Sequence, residues 1–196
     1  MAYTDYVPET GCDVDLPEVS SDECTPSLEL SELTDLYYCD QKGKPFTDVT
    51  TPTEWANRLS DTATVPPGAT GITAPDLIRH LPIIGEYPAP TVTEKDISGG
   101  REKYPTRYTH TINFDVDDIT KQNYQFAQFT QKTTRTVRAW AKTKAGKMLG
   151  GNKGIVARIH IDPVFAKGSE TLVALTGKLL WWGTGVYAPD LTDSPI

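Results

Sequence analysis

Residues 154–185 read GIVARIHIDPVFAKGSETLVALTGKLLWWGTG, and this stretch decides the fold class. Ile155, Ala157, Ile159 and Ile161 alternate with Val156, Arg158 and His160, the period-two pattern of a strand with one face on a core. Asp162-Pro163 then turns the chain. Thr171 to Trp182 predicts a further strand, ended by Gly183-Thr-Gly185. Trp181 and Trp182 must point to opposite faces of it, so at least one belongs to a core or an interface.

The same periodicity extends towards the N-terminus. Tyr108, His110, Ile112, Phe114 and Val116 alternate with Thr109, Thr111, Asn113 and Asp115, and predict a strand. Asp117 or Asp118 can cap a helix running to about Gln131, whose apolar side is Ile119, Tyr124, Phe126, Ala127 and Phe129. Val137, Ala139 and Ala141 alternate with Arg138 and Trp140 in another strand. Residues 145–154, AGKMLGGNKG, interrupt the pattern and read as a flexible hairpin tip with a basic rim. Strand, helix and three strands joined by short connections predict a mainly β fold. The expected form is an antiparallel β-sandwich or half-barrel with one flanking α-helix.

The N-terminal half is less regular. Residues 1–27 hold Pro8, Pro17 and Pro26 among many acids, and read as an extended acidic arm. Asp35–Cys39 reads as a strand, with Gln41–Lys44 as a hairpin turn into Pro45–Val49. Thr51 as N-cap, Pro52 at the first position and Glu54 at the third predict a short helix, with Trp55 and Leu59 on one face. Residues 62–106 are rich in Pro, Gly and Thr and predict a long loop or an extended excursion from the core, with a single helical turn at Asp76–Arg79. The expected organisation is an arm at 1–27, one domain at 28–188 and a tail at 189–196.

Charge is separated along the chain. Eleven Asp and Glu and no Lys or Arg lie between residues 5 and 40, whereas residues 119–161 hold nine Lys and Arg and no acid. The net charge of -7 and pI near 4.9 conceal this. Scattered surface lysines on a solvated face do not explain the absence of every acid over that stretch. Arg138 beside Trp140, with Arg135 and Lys142, suits phosphate contact, but the acidic arm would compete for the same surface. Self-assembly fits better, with acids such as Asp13, Asp15, Glu18, Asp22 and Glu23 of one copy meeting Arg135, Arg138, Lys142, Lys144, Lys147 and Lys153 of the next.

Catalysis finds no pattern. His80, His110 and His160 are far apart, no nucleophile elbow occurs, and Asp115, Asp117 and Asp118 lack the Gly and distal Glu of a calcium loop. AGKMLGGNKG is not a phosphate loop. No catalytic residue, metal site or cofactor is expected. Cys12, Cys24 and Cys39 have no metal-ligand spacing; a Cys12–Cys24 bridge stays open, and reduced thiols are preferred. No run of about eighteen apolar residues spans a membrane, and the N-terminus has no signal-peptide pattern.

The C-terminal half (NYQFAQF, TVRAWAKT, then residues 154–185) resembles the closing section of bacteriophage major tail tube proteins. The match lies at Gly154–Asp162, the turn at Pro163–Ser169, and Leu172–Gly185. The LYYCDQKGKPFTDVTTPTEW segment is similar in flavour to virion proteins of Bacteroides-group phages. The resemblance implies a structural virion protein, located in the tail and assembled in the host cytoplasm. It implies self-assembly into hexameric rings whose inner strands join in a continuous barrel, stacked through a long loop and terminal arms. Its partners would be copies of itself and other tail proteins, with DNA passing through a lumen that acidic charge keeps non-adhesive. The alternatives are a capsid decoration or adhesion β-domain touching its target through Trp140, Trp181, Trp182 and Tyr187, and a nucleic-acid-binding module.

Overall fold

The computed structural model shows how the alternating segments pair. It describes residues 32–60, 64–66, 71–96, 103–116, 118–132, 135–165, 174–183 and 189–196. The strands are β1 (Leu33–Asp40), β2 (Arg79–Glu86), β3 (Thr91–Asp96), β4 (Lys103–Val116), β5 (Arg135–Thr143), β6 (Lys147–Leu149), β7 (Ile155–Val164), β8 (Ala174–Gly183) and β9 (Leu191–Asp193). The helices are α1 (Pro52–Arg58) and α2 (Lys121–Lys132).

The fold is mainly β and antiparallel. Where a sandwich or half-barrel was expected, six strands close into a barrel in the order β1–β2–β4–β8–β7–β5. Closure is made by β1 against β5, from Leu33 opposite Thr143 to Asp40 opposite Val137. The period-two pattern explains the inside. Ile155, Ala157, Ile159 and Ile161 of β7 face inward, and so do Ile112, Phe114 and Val116 of β4. Their burial is the main stabilising term, at roughly 1.5–3 kcal/mol for each large side chain. Gly177 on β8 is needed here, because a Cβ at that position would sit 2.2 Å from Cε2 of Phe114. The Phe114 ring occupies the space a side chain would take.

Helix α2 covers one side of the barrel. Thr120 is its N-cap, its hydroxyl accepting from Asn123 N–H at 3.1 Å. The helix buries Ala127 and Thr130, and the Thr130 hydroxyl accepts from Ile161 N–H of β7 at 3.1 Å while donating to Ala127 O. Phe126 stacks on Tyr38 of β1. Ile119 and Phe129, expected on the apolar side, are exposed.

Outside β1 and β5 lies a second apolar cluster of Tyr37, Cys39, Phe46, Val49, Trp55, Ile78, Trp140 and Met148. It forms because β5 is apolar on both faces, Ala139 and Ala141 on the barrel side and Trp140 on the other. Helix α1 starts at Pro52 as expected and brings Trp55 and Leu59 onto this cluster. The Glu54 carboxylate accepts from the N–H groups of Thr47 and Asp48.

Several expectations are corrected. Pro45–Val49 does not pair with β1, since β2 and β5 already occupy both edges of that strand. The segment instead lies on Asn152, which accepts from Phe46 N–H through its carbonyl and from Val49 N–H through its side chain. Residues 62–106 are not one long loop, because β2, β3 and the start of β4 lie within them. The alternation of Leu81 and Ile83 marks β2 despite Pro82. The helical turn there is a 3-10 turn at Ala74–Asp76, starting two residues earlier than expected. Residues 145–154 are not a bare tip. They contain β6, seated between β5 and β9 with Met148 fully buried. The tail at 189–196 supplies β9. The arm at 1–27 and the Cys12–Cys24 pairing lie outside the described residues.

Candidate functional site

The basic residues singled out from sequence are dispersed, and most are engaged in the fold. Arg138 points its guanidinium at the carbonyls of Gly43, Gln41 and Lys153, joining the β1 turn to the loop before β7. Lys142 is half-buried on β5, opposite Asp35. Lys144 pairs with Glu32 at 3.2 Å, and Lys147 with Asp193 at 2.8 Å. Lys153 is exposed. Arg135 opens β5 opposite Ile159. Their proposed partners Asp13, Asp15, Glu18, Asp22 and Glu23 lie outside the described residues.

The aromatic residues sort differently from expectation. Trp140 is fully buried, with its indole N–H donating to Gly151 O at 2.8 Å, so it is no external contact. Trp181 stacks against both His110 and Tyr87, which also contact each other, the Tyr87 hydroxyl meeting His110 Nδ1 at 2.8 Å. Trp182 takes the opposite face and is 39 % exposed. Tyr187 lies outside the described residues.

The barrel brings together a cationic group that the sequence did not signal. Around Trp182 the guanidinium carbons of Arg107 on β4 and Arg158 on β7 lie 4.6 and 4.7 Å from the ring centre. Lys178 on β8 is exposed on the same face, opposite His160 and Asn113. The parity of each residue was legible, but the register that makes them neighbours was not. Arg107 and Lys178 also fall outside the acid-free stretch that drew attention.

The second outstanding feature is the hairpin of β3 and the first half of β4. All six residues of β3 are exposed, and among the described residues β3 pairs with β4 alone. The hairpin thus leaves the barrel with an unpaired strand edge.

A cleft of about 630 Å³ opens between α2 and the β1–β5–β7 wall, lined by Tyr38, Leu77, Arg79, Phe126, Phe129 and Val137 among others. It holds no nucleophile–base pair. Cys39 is one of its lining residues, and its buried thiol is pushed up to about 11 by burial, against the pull of Arg58 and Arg138. His80 contacts Asp35 at 2.6 Å, and His160 contacts Asp162 at 3.1 Å. Burial pushes the Asp35 carboxyl up, but hydrogen bonds from His80 and Thr34 outweigh it and hold the group below its ordinary value. Among the described residues, no three His, Cys, Asp or Glu are placed to share a metal ion.

Comparison with known proteins returns no matching family model, no matching curated protein and no matching solved structure.

Proposed function

We propose that this chain is a structural virion protein that self-assembles into stacked hexameric rings, forming a phage tail tube through which DNA passes. The observation that carries the reading is the exposed hairpin with its unpaired β3 edge. A free edge of six residues invites pairing with another chain, and proteins that stay monomeric protect such edges by covering, charging or bulging them. Here a register irregularity between Thr93 and Glu94 and the charges of Glu94, Lys95 and Asp96 guard one end, while Thr91, Val92 and Thr93 leave the other open. In this reading the barrel closes within each copy, and rings join through the hairpin rather than through shared barrel strands. The net charge of -7 suits a lumen along which phosphates must slide without being held.

Purified protein viewed by negative-stain electron microscopy is expected to show rings or tubes, weakened by high salt and by Val92→Lys. A monodisperse monomer at every concentration overturns the reading. The second reading is a capsid decoration domain, favoured by the exposure of Trp182 alone among the described tryptophans weighed as contacts; a discrete monomer or trimer that binds a preformed shell would select it.

A further inference from the structure

The face around Trp182 gathers three cations, Arg107, Arg158 and Lys178, among the described residues. Arg107 and Arg158 lie against the indole, and Lys178 stands two positions before Leu180, which is opposite both Thr111 and Arg158. No ion pair joins any of these three cations to a carboxylate among the described residues. Two acids of that face, Asp115 and Asp162, each stand opposite Thr176, two positions from Lys178, and Asp162 is occupied by His160 at 3.1 Å and by the Gln131 amide at 2.9 Å. A half-exposed indole held between two guanidinium groups offers an apolar ring edge with donors on either side. Its complement is a rigid apolar ring flanked by carboxylates.

The chain carries such a segment. Residues 1–31 contain eight Asp and Glu and no Lys or Arg. Within them an aliphatic-Pro-Glu triplet occurs twice, as Val7-Pro8-Glu9 and Leu16-Pro17-Glu18, with Asp5 and Asp15 shortly before the respective prolines. Reach is sufficient. Leu33 of β1 is opposite Gly85, which is opposite Phe114, which is opposite Gly177, five residues from Trp182 along β8. Strand spacing and rise make that separation roughly 22 Å. The fifteen residues from Pro17 to Glu32 can span up to about 50 Å.

We propose that the outer face around Trp182 is the docking site of the acidic leader, residues 1–31, with a proline against the exposed edge of the indole and neighbouring carboxylates on Arg107 and Arg158. The inference stands apart from the tube reading, because docking can be measured whether or not copies assemble. Nucleic acid is the competing occupant, and the leader's own charge disfavours it.

The test uses the full chain with the photo-cross-linker p-benzoylphenylalanine in place of Leu16, irradiated and mapped by mass spectrometry. Adducts are expected on β4, β7 and β8 around Trp182. Their yield should fall roughly fivefold in Arg107→Glu/Arg158→Glu, and also in about 0.5 M salt. Circular dichroism checks that the variant folds, and Arg107→Gln/Arg158→Gln replaces it if it does not. Adducts on another surface, or yields indifferent to these substitutions, overturn the proposal. So does binding of a short single-stranded DNA that requires both arginines while no leader adduct forms.

Discussion

Replacing Trp140 with Phe tests whether the segment 150–154 is a packed part of the fold. Trp140 is fully buried, its ring 5.1 Å from Phe46 and 5.8 Å from Trp55, centre to centre. The loop backbone lies directly on the indole. A Cβ at Gly154, where φ is +66°, would come within 2.8 Å of Trp140 Cζ2. The indole N–H also holds Gly151 O at 2.8 Å. Phenylalanine vacates the outer part of the indole, which costs about 2 kcal/mol in lost contacts and residual void. It also leaves the Gly151 carbonyl without this donor, for about 1 kcal/mol more. The sum of about 3 kcal/mol corresponds to a fall of about 10 °C in Tm for a chain of this size. Equilibrium unfolding in urea, followed by far-UV circular dichroism, measures it. Trp182→Phe, at a half-exposed site, is the control and should cost under about 1 kcal/mol. A loss below about 1 kcal/mol in Trp140→Phe would refute the reasoning, since the loop would then not depend on the indole.

Two further outcomes follow from buried polar groups. Asp76 accepts from Lys44 N–H at 2.7 Å, Thr73 N–H at 2.9 Å and the Thr73 hydroxyl at 2.5 Å. Burial pushes its carboxyl up, yet these bonds and the Arg58 charge outweigh it and hold the pKa below the ordinary value. Its stabilising effect is therefore present above the unfolded pKa of about 3.9 and is lost as pH falls through the lower folded value. Asp76→Asn should cost about 2 kcal/mol near neutral pH, with the gap closing below about pH 4; urea titrations showing a gap unchanged down to pH 3 would contradict this. For Cys39, a buried thiol pushed up to about 11 stays protonated and inert at pH 8. In a Cys12→Ser/Cys24→Ser chain, an Ellman assay should show no labelling over minutes in buffer and prompt labelling in guanidinium.

Much of the barrel was legible because β4, β5, β7 and β8 alternate cleanly enough for one face to be assigned from sequence. β2 was hidden by Pro82 and by the glycines and prolines around it, which resemble loop composition even though Leu81 and Ile83 keep the period. β3 has no buried face and thus no periodic signal. The misplaced hairpin at Pro45–Val49 shows a different limit. Local turn chemistry at Gln41–Lys44 suggested pairing with the next segment, but β5, about a hundred residues away, takes that edge. The candidate surface was less legible still. The acid-free stretch led to Arg138, Lys144 and Lys147, whose charges the fold already uses. The face around Trp182 is drawn from three strands, and only their register makes one site of it.

The position of β1 between β2 and β5 bears on how the chain acquires its structure. Asp40 is opposite Val137, so the last seam of the barrel joins segments separated by about a hundred residues. Bringing such distant segments together costs roughly 4 kcal/mol of chain entropy before any contact is made. Closure is consequently late and slow compared with forming the β7–β8 ladder, whose partners are close in sequence. Because β1 contributes to both clusters, through Leu36 on one face and Tyr37 on the other, its arrival completes the two together. Amide hydrogen exchange should therefore find β1 as protected as any strand in the molecule, released only when the whole chain unfolds.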